Sequence, residues 1–245
     1  PEGRRIRQAF IAPEGRRLLS ADYSQVELRI LAHFSEDARL IEAFRAGGDI
    51  HRETAADVWE VDPDDVTPDQ RARAKAVNFG IIYGLSAFGL AGQLGIATAE
   101  AQETIDTYFA RYSGVRAFLD ATLETAKEQG FVRTLLGRRR YLPDLASRNR
   151  VLRQAAERMA VNTVIQGTQA DLIKKAMLDV EDRLGRDWPA VRMILQVHDE
   201  LVFEVPEAQA DGAGAAIQAV MEAVAPLGVP LAVDVGTGRH WREAH

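Results

Sequence analysis

The chain has 245 residues, of which 47% are hydrophobic and 27% charged, a globular composition long enough to bury one large core or two smaller ones. It has no cysteine, which excludes a disulfide framework and a thiolate metal site. The net charge of -6 argues against coating nucleic acid by bulk attraction, and no segment approaches the roughly 20 apolar residues of a membrane span, so a cytoplasmic protein is expected.

Ile6, Ala9, Phe10 and Ile11 alternate in strand fashion, Pro13-Glu14-Gly15 reads as a turn, and Leu18 to Ala21 reads as a second strand, together a hairpin. After Asp22 the apolar spacing becomes helical through Val26, Leu28, Ile30, Leu31 and Phe34. Asp22 thus stands where a strand hands over to a helix, a place that suits a helix N-cap as well as a functional carboxylate.

Residues 37–129 are helical in pattern, broken at Gly47-Gly48, Asp62-Pro63, Gly92 to Gly95 and Ser113-Gly114. Thr67-Pro68-Asp69-Gln70 is a helix start: Thr67 can cap, Pro68 suits the first helical position, and Gln70 can close a capping box. On the helix that follows, Arg71, Lys75, Phe79 and Tyr83 are each four residues apart and share one stripe. Two cations followed by two aromatics can cradle a nucleotide, with charges on phosphates and a ring beneath a base or sugar; a surface stripe with an ordinary core half is the competing reading. Gly80 and Gly84 cost this helix stability, which hints at a close approach by something else.

Phe131 to Leu136 and Tyr141-Leu142 form a predicted small hairpin around Gly137. Arginines 138, 139, 140, 148, 150, 153 and 158 crowd the same region, opposed only by Asp144 and Glu157. Such a cluster is either a solvated face or a phosphate contact. A long helix is expected over Arg148 to Leu184. The stretch LQVHDELVFEV then gives two strands with His198, Asp199 and Glu200 at their tip, followed by a helix from Glu207 to Val224 and a last strand from Val229 to Val235. Strands at both ends of the chain and helices between them predict an α+β fold, a sheet layer interrupted by a helical insertion.

Phosphoryl transfer between nucleotides asks for metal ions that hold the triphosphate and absorb charge on the leaving oxygens. Mg²⁺ is held by one or two carboxylates, its other positions being filled by water and phosphate. Two such ions, about 3.5–4 Å apart, need carboxylates brought together from rigid elements. Asp22 and Asp199 meet that need if their strands are neighbours in one sheet.

DYSQVELRILAHFS (22–35), RARAKAVNFGIIYG (71–84) and QVHDELVFEVP (196–206) closely resemble the three polymerase motifs, A, B and C, of family A DNA polymerases of the bacterial DNA polymerase I type. DIHRETA (49–55), GRRRYLPD (137–144) and ERMAVNTVIQGTQADLIKKAM (157–177) look like that family's intervening segments, so the match runs over nearly the whole chain. The resemblance implies an antiparallel palm sheet backed by helices, formed by residues 1–34 and 146–245, with mostly helical fingers at 35–145. It implies two Mg²⁺ ions on Asp22, Asp199 and the backbone carbonyl of Tyr23, with Glu200 as a nearby acid of lesser weight. Lys75 would contact the triphosphate and act as general acid toward pyrophosphate, while Arg71, His51 and Gln25 hold phosphates. Phe79 and Tyr83 would pack on the incoming sugar and base, and Glu27 would be the steric gate against a 2′-hydroxyl. Arg158, Asn162, Gln166 and His198 would line the minor groove of primer–template DNA.

The implied reaction is template-directed transfer of a nucleotide from a dNTP to a primer 3′-hydroxyl, in DNA replication and repair. The sequence opens at PEGRRIRQAF, inside what would be the palm, so the thumb, the upstream palm and any exonuclease region are expected to be absent and the grip on duplex DNA poor. Two other readings stay open: a metal-dependent phosphohydrolase or nuclease, which paired aspartates also suit, and a palm–fingers module that binds nucleotide or DNA without turnover.

Overall fold

The structure is a computed structural model that describes residues 5–245. The chain divides into two compact units, one formed by residues 1–26 and 169–245 and the other by residues 27–168.

The first unit is built on a four-stranded antiparallel sheet in which β1 (Arg16–Tyr23), β4 (Arg192–Val197), β5 (Glu200–Pro206) and β6 (Val233–Gly238) lie in the order β4-β5-β1-β6. The two central strands are apolar without alternation because both of their faces are covered: Leu18, Leu19, Ala21, Leu201, Val202, Phe203 and Val205 are all buried. On one face Leu18 and Val202 meet Trp241 and Ala244 of α10 (Trp241–Ala244), with Leu195 and Val197 beside them. On the other, α9 (Ala210–Glu222) brings Gly214 against Leu19 and Val235, where an added Cβ would stand 3.2 and 3.3 Å from their methyls. Tyr23 ties the same helix down by donating its hydroxyl to the Met221 carbonyl at 2.7 Å. The edge strand β4 alternates exposed and half-buried residues and carries a register shift between Met193 and Leu195.

The expected opening strand is not formed. Residues Arg7–Ala9 are a 3₁₀ turn, and Ile11 makes only an isolated bridge to His240. The reason is topological: β1 has β5 on one edge and β6 on the other, so no edge is left for a strand from residues 6–11. Ile6, Phe10 and Ile11 accordingly stay exposed. The turn at Pro13-Glu14-Gly15 does form, closed by Arg16 N–H donating to the Pro13 carbonyl at 3.1 Å, with Gly15 at a φ of 75°. The last strand lies a few residues later than expected, at Val233–Gly238.

The second unit holds helices α1 (Val26–Ser35, from Glu27), α2 (Ala38–Arg45), α3 (Ile50–Trp59), α4 (Pro68–Ile82), α5 (Ala87–Leu94), α6 (Thr98–Arg111) and α7 (Ser113–Gln129). It also holds the hairpin of β2 (Phe131–Arg133) and β3 (Arg139–Tyr141) and the start of α8 (Arg150–Asp187). The Thr67 capping box is present as read from the sequence: Gln70 N–H donates to Thr67 Oγ1 at 3.2 Å, and Thr67 N–H donates to Gln70 Oε1 at 2.9 Å. One core gathers Ala55, Ala56, Val66 and Ala74, flanked by Trp59 and Val61, under α3 and α4. A second gathers Ala126, Val132, Leu142, Leu145, Ala156, Ala160 and Val164, with Phe34 and Phe118 stacked beside it at 5.7 Å.

Candidate active site

In the first unit the register of β1 against its neighbours decides which acids meet. Asp22 lies in the strand itself, opposite Glu200 on β5 and Asp234 on β6, so it does not cap α1. One step beyond Glu200, the two-residue tip places His198 at a φ of 56° and Asp199 after it. Gln196 fixes this bend by donating to the His198 carbonyl at 2.7 Å, and Tyr23 N–H donates to the Asp199 carbonyl at 3.3 Å. Asp22, near the end of β1, and Asp199, in the bend that leads into β5, therefore stand at one end of two adjacent strands.

The crowding shows in their acidity. Burial, then the charges of Asp199 and Glu200, push the Asp22 carboxyl up to about 6; His245 opposes this and Asp234 adds to it. Asp199 is also raised, chiefly by burial. The Oδ1 atom of Asp22 is buried without a hydrogen-bond partner. A buried, unpartnered carboxylate oxygen among like charges is an arrangement that a divalent cation relieves. Among the described residues no group of three or more histidine, cysteine or acidic side chains is arranged as a closed metal cage. Mg²⁺ does not ask for one, since water and phosphate fill most of its positions.

Glu200 has a different environment. Its side chain is buried, and Oε1 accepts from Ser20 Oγ and from Trp241 Nε1, both at 2.6 Å. Arg7 approaches its other oxygen at 3.8 Å, and His245 Nδ1 lies 3.5 Å from Oε1. This carboxylate is occupied in holding α10 onto the sheet.

In the second unit the stripe on α4 is formed as predicted. Phe79 and Tyr83 stack at 6.4 Å with a 17° interplanar angle, and the Tyr83 hydroxyl donates to Glu27 Oε2 at 2.8 Å. Lys75 is exposed; Arg71 pairs through Nε with Asp49, which itself caps α3 through the N–H groups of His51 and Arg52. Burial raises the Asp49 carboxyl, but the Arg71 bond and the cap bonds outweigh it and leave it below the usual range. His51 is buried at 3% exposure, its ring 5.9 Å from that of Phe79, and burial pushes its imidazole down to about 4, with Arg71 and Lys75 adding to the shift and Asp49 opposing it. The close approaches anticipated at Gly80 and Gly84 come from the chain itself: a Cβ would stand 3.1 Å from Leu85 Cδ2 at the first and 3.0 Å from Arg158 Cγ at the second.

Arg158, Asn162 and Gln166 recur every four residues along α8 and share one face, with Arg158 and Gln166 exposed and Asn162 Oδ1 buried without a partner. Arg158 also lines a cleft with Gly84, Ser86, Arg116 and Gln154. In the arginine-rich hairpin, Arg133 and Arg139 lie over the Phe131 ring at 5.1 and 5.0 Å, Arg138 donates to the Gly167 carbonyl at 2.9 Å, and Arg140 and Tyr141 are exposed. Gln25, just after β1, is held at a φ of 53°.

Two residues were missed from sequence. Asp234 enters through strand register, which only a pairing of the last strand with β1 reveals; its place in an alternating run was the one available signal. Asn78, buried at 0% and bonded to His51 and Thr54, lies one residue from Phe79 and would read as an ordinary polar residue facing water.

Residues 1–243 match the model of the family described as DNA polymerase family A. The chain is 55% identical over 244 residues to DNA polymerase I of Pseudomonas aeruginosa and 54% identical over 244 residues to the thermostable DNA polymerase I of Thermus filiformis, covering 100% of this chain in each case. It spans 27% and 29% of the length of those two relatives. Among solved structures, the POL domain of Pol1 from M. smegmatis, in complex with DNA primer-template and dNTP, superposes with a TM-score of 0.95 at 49% identity, over 99% of this chain and 43% of that one. The chain belongs to DNA polymerase family A.

Proposed function

We propose that this chain carries the nucleotidyl-transfer centre of a template-directed DNA polymerase, with residues 1–34 and 146–245 as palm and residues 35–145 as fingers. The observation that carries the reading is the pairing of β1 with β5, which sets Asp22 beside Asp199 with both carboxyls raised and Asp22 Oδ1 left without a partner. Family membership supports it, as does the likeness to the M. smegmatis POL domain, which was solved with DNA primer-template and dNTP.

Asp22, Asp199 and the Tyr23 carbonyl would hold two Mg²⁺ ions. When bound, these ions would supply charge neutralisation of the triphosphate and a lowered pKa for the primer hydroxyl. Arg71, Lys75, His51 and Gln25 would hold the phosphates, Arg71 using the guanidinium N–H groups that its Nε bond to Asp49 leaves over. The primer 3′-hydroxyl gives up its proton to solvent water as its oxygen attacks the α-phosphorus, the bond from that phosphorus to the α,β-bridging oxygen breaks, and Lys75 gives a proton to the departing pyrophosphate. Phe79 and Tyr83 would pack on the incoming base and sugar. Glu27, held by Tyr83, would occupy the space a 2′-hydroxyl needs and so select deoxynucleotides. Arg158, Asn162, Gln166 and His198 would contact the minor groove near the growing end. Glu200 would serve this centre by supporting it: its bonds to Ser20 and Trp241 tie together the end of the two central strands at which Asp22 and Asp199 sit.

Single-nucleotide primer extension with Mg²⁺, chain in excess over primer-template, tests the reading. The wild-type chain extends the primer only with the templated dNTP, and Asp199→Ala abolishes extension. Equal extension by both, or none by the wild type, overturns it.

A further inference from the structure

Helices α3 and α4 share a buried polar network that nucleotide handling does not by itself explain. Asn78 and Thr54 are fully buried and His51 nearly so. Asn78 Nδ2 lies 3.0 Å from Thr54 Oγ1 and 3.1 Å from His51 Nδ1. Thr54 Oγ1 also lies 2.8 Å from the Ile50 carbonyl, the Tyr112 hydroxyl lies 2.9 Å from Asp57 Oδ2, and Arg39 Nη1 donates to Asp57 Oδ1 at 2.7 Å.

Counting protons orients the whole set. Asp57, paired with Arg39, is a carboxylate and accepts only, so the Tyr112 proton goes to it. Thr54 has one proton, and the Ile50 carbonyl takes it along a shorter path than the 3.3 Å to Asn78 Oδ1. Thr54 Oγ1 is thereby left as an acceptor, and of the two Asn78 amide atoms the nitrogen is the nearer to it, at 3.0 Å against 3.3 Å for the oxygen. That nitrogen has two hydrogens; one serves Thr54 and the other points at His51 Nδ1. A ring nitrogen that accepts carries no proton, so the hydrogen of the neutral imidazole resides on Nε2.

We propose that Asn78 is a positioning residue that fixes His51 as its Nε2–H tautomer, so that the ring offers an N–H donor to a phosphate oxygen of the incoming nucleotide. The second half rests on the phosphate-holding role proposed above for His51; the first does not. The surroundings agree with an uncharged ring. Burial first, with Arg71 and Lys75 adding to it and Asp49 opposing, holds its pKa down at about 4. The opposite tautomer would aim a lone pair at a phosphate, whereas the fixed one donates at every pH where the ring stays neutral. The arrangement parallels the way a hydrogen bond on one ring nitrogen sets the function of the other in metal-ligating histidines.

The experiment is long-range ¹H–¹⁵N correlation of the histidine rings in the whole ¹⁵N-labelled chain at neutral pH, with His51 assigned among the five histidines by its loss in His51→Gln. The wild type shows a pyridine-type Nδ1 and a pyrrole-type Nε2. Asn78→Asp puts an acceptor where the donor was and moves the proton to Nδ1 or charges the ring, and dNTP affinity falls about tenfold or more. Thr54→Ser keeps the wild-type pattern and Thr54→Val gives a mixture; these two decide the matter if Asn78→Asp does not fold. A protonated Nδ1 in the wild type, or an unchanged pattern in folded Asn78→Asp, overturns the inference. If the tautomer is as stated but neither Asn78→Asp nor His51→Ala alters dNTP affinity, the phosphate role of His51 falls while control of the ring by Asn78 stands.

Discussion

Asp22 is partly buried beside three other carboxylates, and its chemistry follows from that burial first and from the crowding second. Folded, it ionises near 6, whereas the ordinary aspartate value is 3.8. Between those values the folded chain holds a proton that the unfolded chain has lost, so stability falls as pH rises through that window. The raised carboxyl is thus a cost to folding that is fully present above about 6 and absent below about 4. Asp22→Asn should therefore raise the melting temperature of the metal-free chain near pH 8, with the gain shrinking toward pH 4. A gain of equal size at both pH values would show that the charge is not its source. Glu200, the neighbouring acid in the same motif, shows what residue type alone does not tell: its Oε1 is taken up by Ser20 and Trp241. Those donors come from positions 180 and 41 residues away, so no local pattern announces them.

The elements themselves show which physical signals survive in one dimension. Local ones do: the capping box at Thr67, the αL glycine at Gly137 between β2 and β3, and the four-residue stripe on α4 are all decided within a turn or two of chain. Signals that depend on a partner do not. Residues 6–11 alternate like a strand but find both edges of β1 already taken, and β6 begins at Val233 because its register is set by β1. The glycines of β6 are of this second kind. A Cβ at Gly236 would stand 2.4 Å from the Ala244 carbonyl oxygen, and one at Gly238 2.3 Å from Glu243 Cβ, so α10 can lie on the strand only where side chains are missing. Gly236→Ala should cost about 1–3 kcal/mol in denaturant unfolding and loosen amide protection over 241–244. Gly185→Ala, in the last turn of α8 with nothing within 4 Å of the added carbon, should instead stabilise by up to about 1 kcal/mol. A Gly236→Ala chain as stable as wild type would mean that α10 does not rest on β6 as described.

For the whole molecule, the α+β organisation was legible because strands cluster at the chain ends and helices fill the middle. The sheet order β4-β5-β1-β6 was not, although the proposed function depends on it. Sequence chemistry required that the strands bearing Asp22 and Asp199 be neighbours, and the register supplies that. The net charge of -6 likewise conceals a division of labour: acids collect around Asp22, while the arginines of positions 138–158 present guanidinium groups from the hairpin and α8. The claim on which the rest depends is that Asp22 and Asp199 share divalent ions. Its most direct test is anomalous diffraction from crystals of the chain grown with primer-template, Mn²⁺ and an unreactive dNTP analogue. The account predicts Mn²⁺ peaks ligated by both carboxylates and by the analogue's phosphates; a well-ordered bound analogue whose Mn²⁺ touches neither aspartate, or only one of them, would contradict it.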